Sequence, residues 1–341
     1  MGFKPDHLIR IAKETTSLRI HGDKTIAAVY LTGSLLTENP FLGGATDIDL
    51  VFVHQRKPAS RREVIPLSPE IHLDIKHNPI GEYASPRELR VDPWLGPELW
   101  NPMLLYETDH FFEFVQAVVR DRFHEPINVI ARAQKNMDHA RQLWNELSYK
   151  RNAGPKSMLV YLKAINHASN AVAILNGPVL AERRLLLQFP HLAGVAGKAN
   201  LSDALLRLLG GWNIEVDTLS ALLPDWEKNF ISAGRKPAAD ARLHPARLGY
   251  YKQAMQSMLG GQNPSATLWP LLHSWTLAAL TLQQAERTAW RAALKHMGLV
   301  GDGFPACLEG LDHFLDEIEL LLTNMAANQG IDTIYRDGRK V

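Results

Sequence analysis

The sequence predicts an α+β protein: a mixed β-sheet backed by helices over residues 1–123, followed by an all-α helical bundle over residues 124–341. Three observations predict this. Short β-branched apolar runs bounded by turn residues recur as far as residue 108. Long helical periods with Gly and Pro punctuation, such as "NAGPKS" and "NGPV", follow. At 341 residues the chain exceeds the usual size of one domain and has apolar content for two cores.

The elements follow in chain order. "DHLIRIAKETTSLRI" places Leu8, Ile11, Ala12 and Leu18 at helical spacing, with Asp6 suited to cap the helix. "TIAAVYLT" (25–32), "DIDLVFVH" (47–54) and "EIHLDIKH" (70–77) read as strands. A further strand is expected at "MLLYET" (103–108), then a helix over 109–121. "FHEPI" interrupts the pattern at Phe123–Ile127 and marks the boundary. Beyond it, "NVIARAQKNMDHARQLWNELSYKR", "SMLVYLKAINHASNAVAILN" and "CLEGLDHFLDEIELLLTNMAANQ" carry helical periodicity.

Composition narrows the function classes. The 37 basic and 36 acidic residues nearly cancel, which argues against a general grip on long nucleic acid. The single cysteine, Cys307, excludes an internal disulfide framework and a Cys-rich zinc module, and fits a reducing compartment. No hydrophobic signal core and no run of about 18 uncharged apolar residues is present, so a cytoplasmic protein without a membrane span is expected.

The chemistry sits in "VYLTGSLLTENPFLGGATDIDLVFV" (29–53). Successive strand side chains face opposite ways, so Asp47 and Asp49 share a face with Val51 and Val53, while Ile48, Leu50 and Phe52 share the other. Two carboxylates about 6.5 Å apart at the backbone can converge on a hard cation with oxygen ligands, Mg²⁺ being the natural candidate. Asp74 repeats the pattern on a later strand, beside Glu70, His72 and Lys76. Three facing carboxylates repel one another, and a divalent metal resolves the conflict. Upstream, Gly33 permits close backbone approach, and the Ser34 hydroxyl with the N–H groups of a helix start suits a phosphate.

This constellation resembles the nucleotidyltransferase superfamily with the DNA polymerase β-like fold, especially the bacterial branch that includes aminoglycoside adenylyltransferases. The resemblance is strong over residues 25–80 and extends toward 120; the twelve residues "LLTENPFLGGAT" fit the family's variable loop. It implies that Gly33 and Ser34 contact the phosphates of a donor NTP. It also implies that Asp47 and Asp49 hold two Mg²⁺ ions and that Asp74, a further metal ligand, activates the acceptor hydroxyl. The expected reaction is transfer of a nucleoside monophosphate to a hydroxyl of a small molecule, with release of pyrophosphate. Transfer to protein or RNA, as in toxin-like members, and a catalytically silent nucleotide-binding module are the alternatives.

Competing structural readings stand beside these. Asp47 and Asp49 suit a strand-end turn or Arg and Lys partners, and Asp74 a salt bridge to a neighbouring strand. His72 reads as a structural histidine. Lys163, Asn166, His167 and Asn170 form a polar stripe that either faces the nucleotide, with Lys163 on the triphosphate, or makes a polar seam between helices. Arg183 and Arg184 are similarly ambiguous. "GVAGKAN" (194–200) lacks the strand, spacing and hydroxyl residue of a phosphate loop, "GLVGDGFP" (298–305) is a turn, and the dispersed histidines lack zinc-ligand spacing.

Overall fold

Five strands, β1 (Ile26–Thr32), β2 (Thr46–His54), β3 (Arg62–Pro66), β4 (Ile71–Pro79) and β5 (Met103–Glu107), form one sheet in the order β3-β4-β2-β1-β5. The computed structural model describes residues 3–237 and 239–331. β2 and β4 run parallel, and the other neighbours antiparallel, so the protein is α+β with a mixed sheet. The C-terminal region is mostly helical.

The alternation read from sequence has a plain cause. Ile48, Leu50, Phe52, Ile71, Leu73 and Ile75 join Val29 and Leu31 in a buried cluster with Leu8 and Ala12 of the helix Pro5–Gly22. Each of these side chains except Ala12 contributes about 1.5–3 kcal/mol on burial. A one-residue slip of β2 would turn its aspartates into this cluster, so the register is strongly set.

Three local details differ from the sequence expectation. The first helix begins at Pro5, whose missing N–H costs nothing there, and Asp6 lies in the first turn instead of at the cap. The helix expected over 109–121 spans Phe111–Arg120, because Asp109 and His110 both have positive φ; the Glu107 carboxylate accepts from Phe112 and Glu113 N–H at 2.9 and 3.2 Å. β3 is an additional strand, short and half-exposed, that pairs along β4. Charged, partly exposed edge strands carry little of the apolar signal from which strands are read.

Two compact units divide the described residues. The first comprises those within Met1–Arg90, Trp94–Asp121 and Glu215–Trp290, and the second those within Val91–Pro93, Arg122–Ile214 and Arg291–Val341. The first therefore contains the sheet together with helices Val216–Gly234, Leu248–Leu259 and Leu268–Thr281. In it the buried indoles of Trp226 and Trp275 donate to Ser274 Oγ and Asn229 Oδ1 at 2.8 and 2.7 Å. The second contains helices Pro126–Leu147, Pro155–Ala173 and Phe304–Asn328, where Arg141 forks onto Asp312, Asp316 and Glu319 at 2.5, 2.7 and 2.8 Å. Among the described residues no helix is long and apolar enough to cross a membrane.

Candidate functional site: a carboxylate cluster on the sheet

The face of the sheet opposite the apolar cluster carries the acidic residues. Parallel pairing sets Asp47 opposite His72 and Asp49 opposite Asp74, so four polar side chains occupy two adjacent rows. Asp47, His72 and Asp74 are 5 %, 0 % and 3 % exposed. Asp49 is partly exposed.

Gly33 closes one side of this cluster. Its φ of 79° lies in the left-handed region, and a Cβ there would sit 1.9 Å from Asp49 Oδ2. Glycine is thus required twice, by backbone and by carboxylate. Ser34 follows in a single 3-10 turn, Ser34–Leu36, and its hydroxyl lies 3.1 Å from that of Thr46 at the start of β2. The sequence-derived residues Gly33, Ser34, Asp47, Asp49 and Asp74 therefore come together in the first unit.

Two arginines that sequence reasoning did not find complete the cluster. Arg62 on β3 donates from Nε and Nη2 to both oxygens of Asp74, each at 2.6 Å. This is the salt bridge to a neighbouring strand that the sequence context of Asp74 also allowed. Arg247, 3 % exposed, donates from Nη1 to Asp74 Oδ2 at 2.5 Å, and its Nη2 lies 3.8 Å from Asp47 Oδ2.

Arg247 ends the turn Pro245–Arg247 that leads into helix Leu248–Leu259; the His244 ring accepts from Ala246 N–H at 3.3 Å. Two glycines bring this helix close. A Cβ on Gly249 would fall 1.9 Å from the Pro69 carbonyl oxygen, and one on Gly43 would fall 2.2 Å from that of Gln253. Tyr250 then sets its ring edge-on to His72, with centroids 5.1 Å apart.

These contacts set the protonation of the cluster. Burial pushes the Asp49 pKa well above the usual carboxylate value, and the charges of Asp47 and Asp74 push it further against the opposing pull of Arg247 and Arg62. Burial acts in the same sense on Asp74, but the Arg62 hydrogen bonds and the Arg247 and Arg62 charges outweigh it and hold that pKa below its ordinary value. Arg62 and Arg247 thus set two guanidinium groups against the carboxylates of Asp74 and Asp47.

The donor set suits a cation. Asp47, His72 and Asp74 each offer one ligand atom, all within 4.8 Å of one another, so this group could hold a metal ion. Carboxylate oxygens fit Mg²⁺, and the imidazole adds a nitrogen donor acceptable to softer divalent ions. His72, set aside as structural from sequence, thus belongs to the cluster.

One row further along the same face, Tyr30 donates to Glu98 Oε1 at 2.7 Å and Lys76 Nζ donates to Glu98 Oε2 at 2.5 Å. The Tyr83 hydroxyl lies 2.9 Å from that of Tyr30 and accepts from Asn78 Nδ2 at 3.0 Å. Burial raises both tyrosine pKa values, so the hydroxyls stay protonated and donate. The network fixes the half-exposed Lys76 beside the acidic rows.

The other sequence candidates lie in the second unit. Lys163 is exposed on helix Pro155–Ala173. The buried Asn170 donates to the Asn166 carbonyl at 2.9 Å and accepts from Leu180 N–H at 2.8 Å; the His167 ring lies 3.3 Å from Asn136 Oδ1. This part of the stripe is a polar seam within the unit. Arg183 is buried and Arg184 half-buried in the turn Glu182–Arg184.

No protein-family model matches the chain, and comparison with curated proteins finds no significant match.

Proposed function

We propose that the chain is a metal-dependent nucleotidyltransferase that moves a nucleoside monophosphate from an NTP to a hydroxyl of a small acceptor. The observation that carries this reading is the convergence of Asp47, Asp49 and Asp74 on one sheet face, with Gly33 pressed against Asp49 and Ser34 next in the chain. In the reaction the acceptor oxygen bonds to the α-phosphorus, the bond to the bridging oxygen of the β-phosphate breaks, and pyrophosphate leaves.

Asp47 and Asp49 would hold Mg²⁺, with Asp74 as a further carboxylate toward it. A bound divalent cation there polarises the α-phosphate and neutralises developing charge. Gly33 leaves room for the Asp49 carboxylate against the backbone, and the Ser34 hydroxyl would donate to a donor phosphate. Asp74, kept ionised by its arginines, orients the acceptor hydroxyl; its lowered pKa makes it a better orienting group than a proton acceptor.

The test incubates the protein with each NTP and Mg²⁺ against aminoglycosides, RNA and protein, and measures pyrophosphate release. Release that needs one acceptor class and disappears in Asp47→Asn supports the reading. NTP binding without release from any acceptor class favours a second reading, a silent nucleotide-binding module. The full engagement of Asp74 by Arg62 and Arg247 is the observation behind that alternative.

A further inference from the structure

Arg247 reaches both carboxylates, Asp47 and Asp74, on which a cation at this cluster would depend. Its guanidinium reaches Asp74 Oδ2 at 2.5 Å and Asp47 Oδ2 at 3.8 Å, and all three side chains are almost fully buried. The ligand atoms of Asp47, His72 and Asp74 lie within 4.8 Å of one another, so the space between them is small. An ion touching both carboxylates would meet the guanidinium at contact distance, and like charges at that distance in a buried site repel strongly.

The geometry points to Arg247 as an internal rival of the divalent ion: guanidinium and metal compete for Asp47 and Asp74, and the strength of the Arg247 contact sets the metal affinity of the free protein. This rests on the metal reading proposed above.

The way Arg247 is held supports the competition. It is anchored from the turn Pro245–Arg247 and seated by the close approach of Gly249 to Pro69. The rings of Tyr250 and Tyr251 lie 5.2 and 5.8 Å from its guanidinium carbon, within reach of a cation–π attraction. Arg62 differs: its side chain is 38 % exposed, and it grips Asp74 from the edge strand, on the flank away from β2. A guanidinium that merely stabilised the fold would keep the carboxylates in place for the ion, and its loss would weaken metal binding. A rival guanidinium predicts the opposite sign.

The experiment titrates the full chain, without nucleotide, with Mn²⁺ and reads free ion by electron paramagnetic resonance. Arg247→Met is expected to bind Mn²⁺ at least tenfold more tightly than wild type. Arg247→Gln, which keeps an amide donor for Asp74, carries the same expectation and serves if the Met variant does not fold; circular dichroism checks both. Unchanged or weaker affinity in a folded variant, with measurable binding in wild type, overturns the rivalry and leaves the metal reading intact. Absence of Mn²⁺ binding in wild type and folded variants alike overturns both.

Discussion

Removing Arg247 in a metal-free buffer should expose how much of the fold depends on an internal cation. Arg247→Met deletes a charge that is 3 % exposed and leaves Asp47 and Asp74, both at least 95 % buried, with one fewer partner. Breaking a buried ion pair from one side typically costs about 3–5 kcal/mol. Here Asp74 keeps both Arg62 hydrogen bonds, at 2.6 Å each, so the cost belongs at the low end, about 3 kcal/mol. Asp74→Asn alone leaves Arg247 facing Asp47 at 3.8 Å and should cost about 2 kcal/mol. In Arg247→Met/Asp74→Asn neither member of the Arg247–Asp74 pair is left charged without the other, although Asp47 still loses Arg247, so the double variant should cost about as much as the loss of Arg247 alone, about 3 kcal/mol, a coupling of about 2 kcal/mol. Urea unfolding of the four proteins in chelator, followed by fluorescence and circular dichroism, measures the cycle. A coupling below about 0.5 kcal/mol would refute the argument, because residues in one hydrogen-bonded ion network normally couple by more than that.

Three further outcomes follow from the geometry. Gly33→Ala places a methyl on the Asp49 carboxylate at φ 79° and ψ −159°, and should cost about 1–3 kcal/mol for the backbone alone and abolish pyrophosphate release, measured by melts and by the release assay. Asp49→Asn should melt no lower than wild type without metal, because burial and the neighbouring charges already disfavour the ionised form, while its pyrophosphate release should vanish; a melt several degrees lower contradicts the first half. In the second unit, burial first and then the His139 and Lys163 charges lower the His167 pKa to about 4. Its native pKa lies below the ordinary value of about 6.5, so its contribution is fully present above that pH and is lost as pH falls toward about 4. The loss is bounded at about 3 kcal/mol by 1.36 kcal/mol per pKa unit, and His167→Gln should flatten the corresponding part of the stability-versus-pH curve.

The chain by itself determined what depends on neighbours in sequence. Period-two alternation in residues 47–54 and 70–77 decided which side chains enter the apolar cluster, and so which face Asp47, Asp49 and Asp74 occupy. The Gly-Ser pair after β1 suggested a close approach by a phosphate, whereas in the fold the Asp49 carboxylate lies against Gly33. Helical periods beyond residue 125 likewise reported themselves, because a buried stripe must repeat with the helix.

Only the tertiary structure decided what neutralises those carboxylates. Arg62 lies on an edge strand whose hydrogen bonds come from β4, and short charged strands carry no apolar period. Arg247 is 173 residues from Asp74, on a turn whose position depends on two glycine contacts with distant loops. No local pattern encodes such a pairing. The same holds for the return of residues 215–290 to the unit that contains the sheet, and for Asn170 meeting Leu180 within a polar seam. A strand's alternation is paid for by burial along its own length, whereas the partner of a buried charge is chosen by whichever distant element reaches it, and that choice exists only in the folded chain.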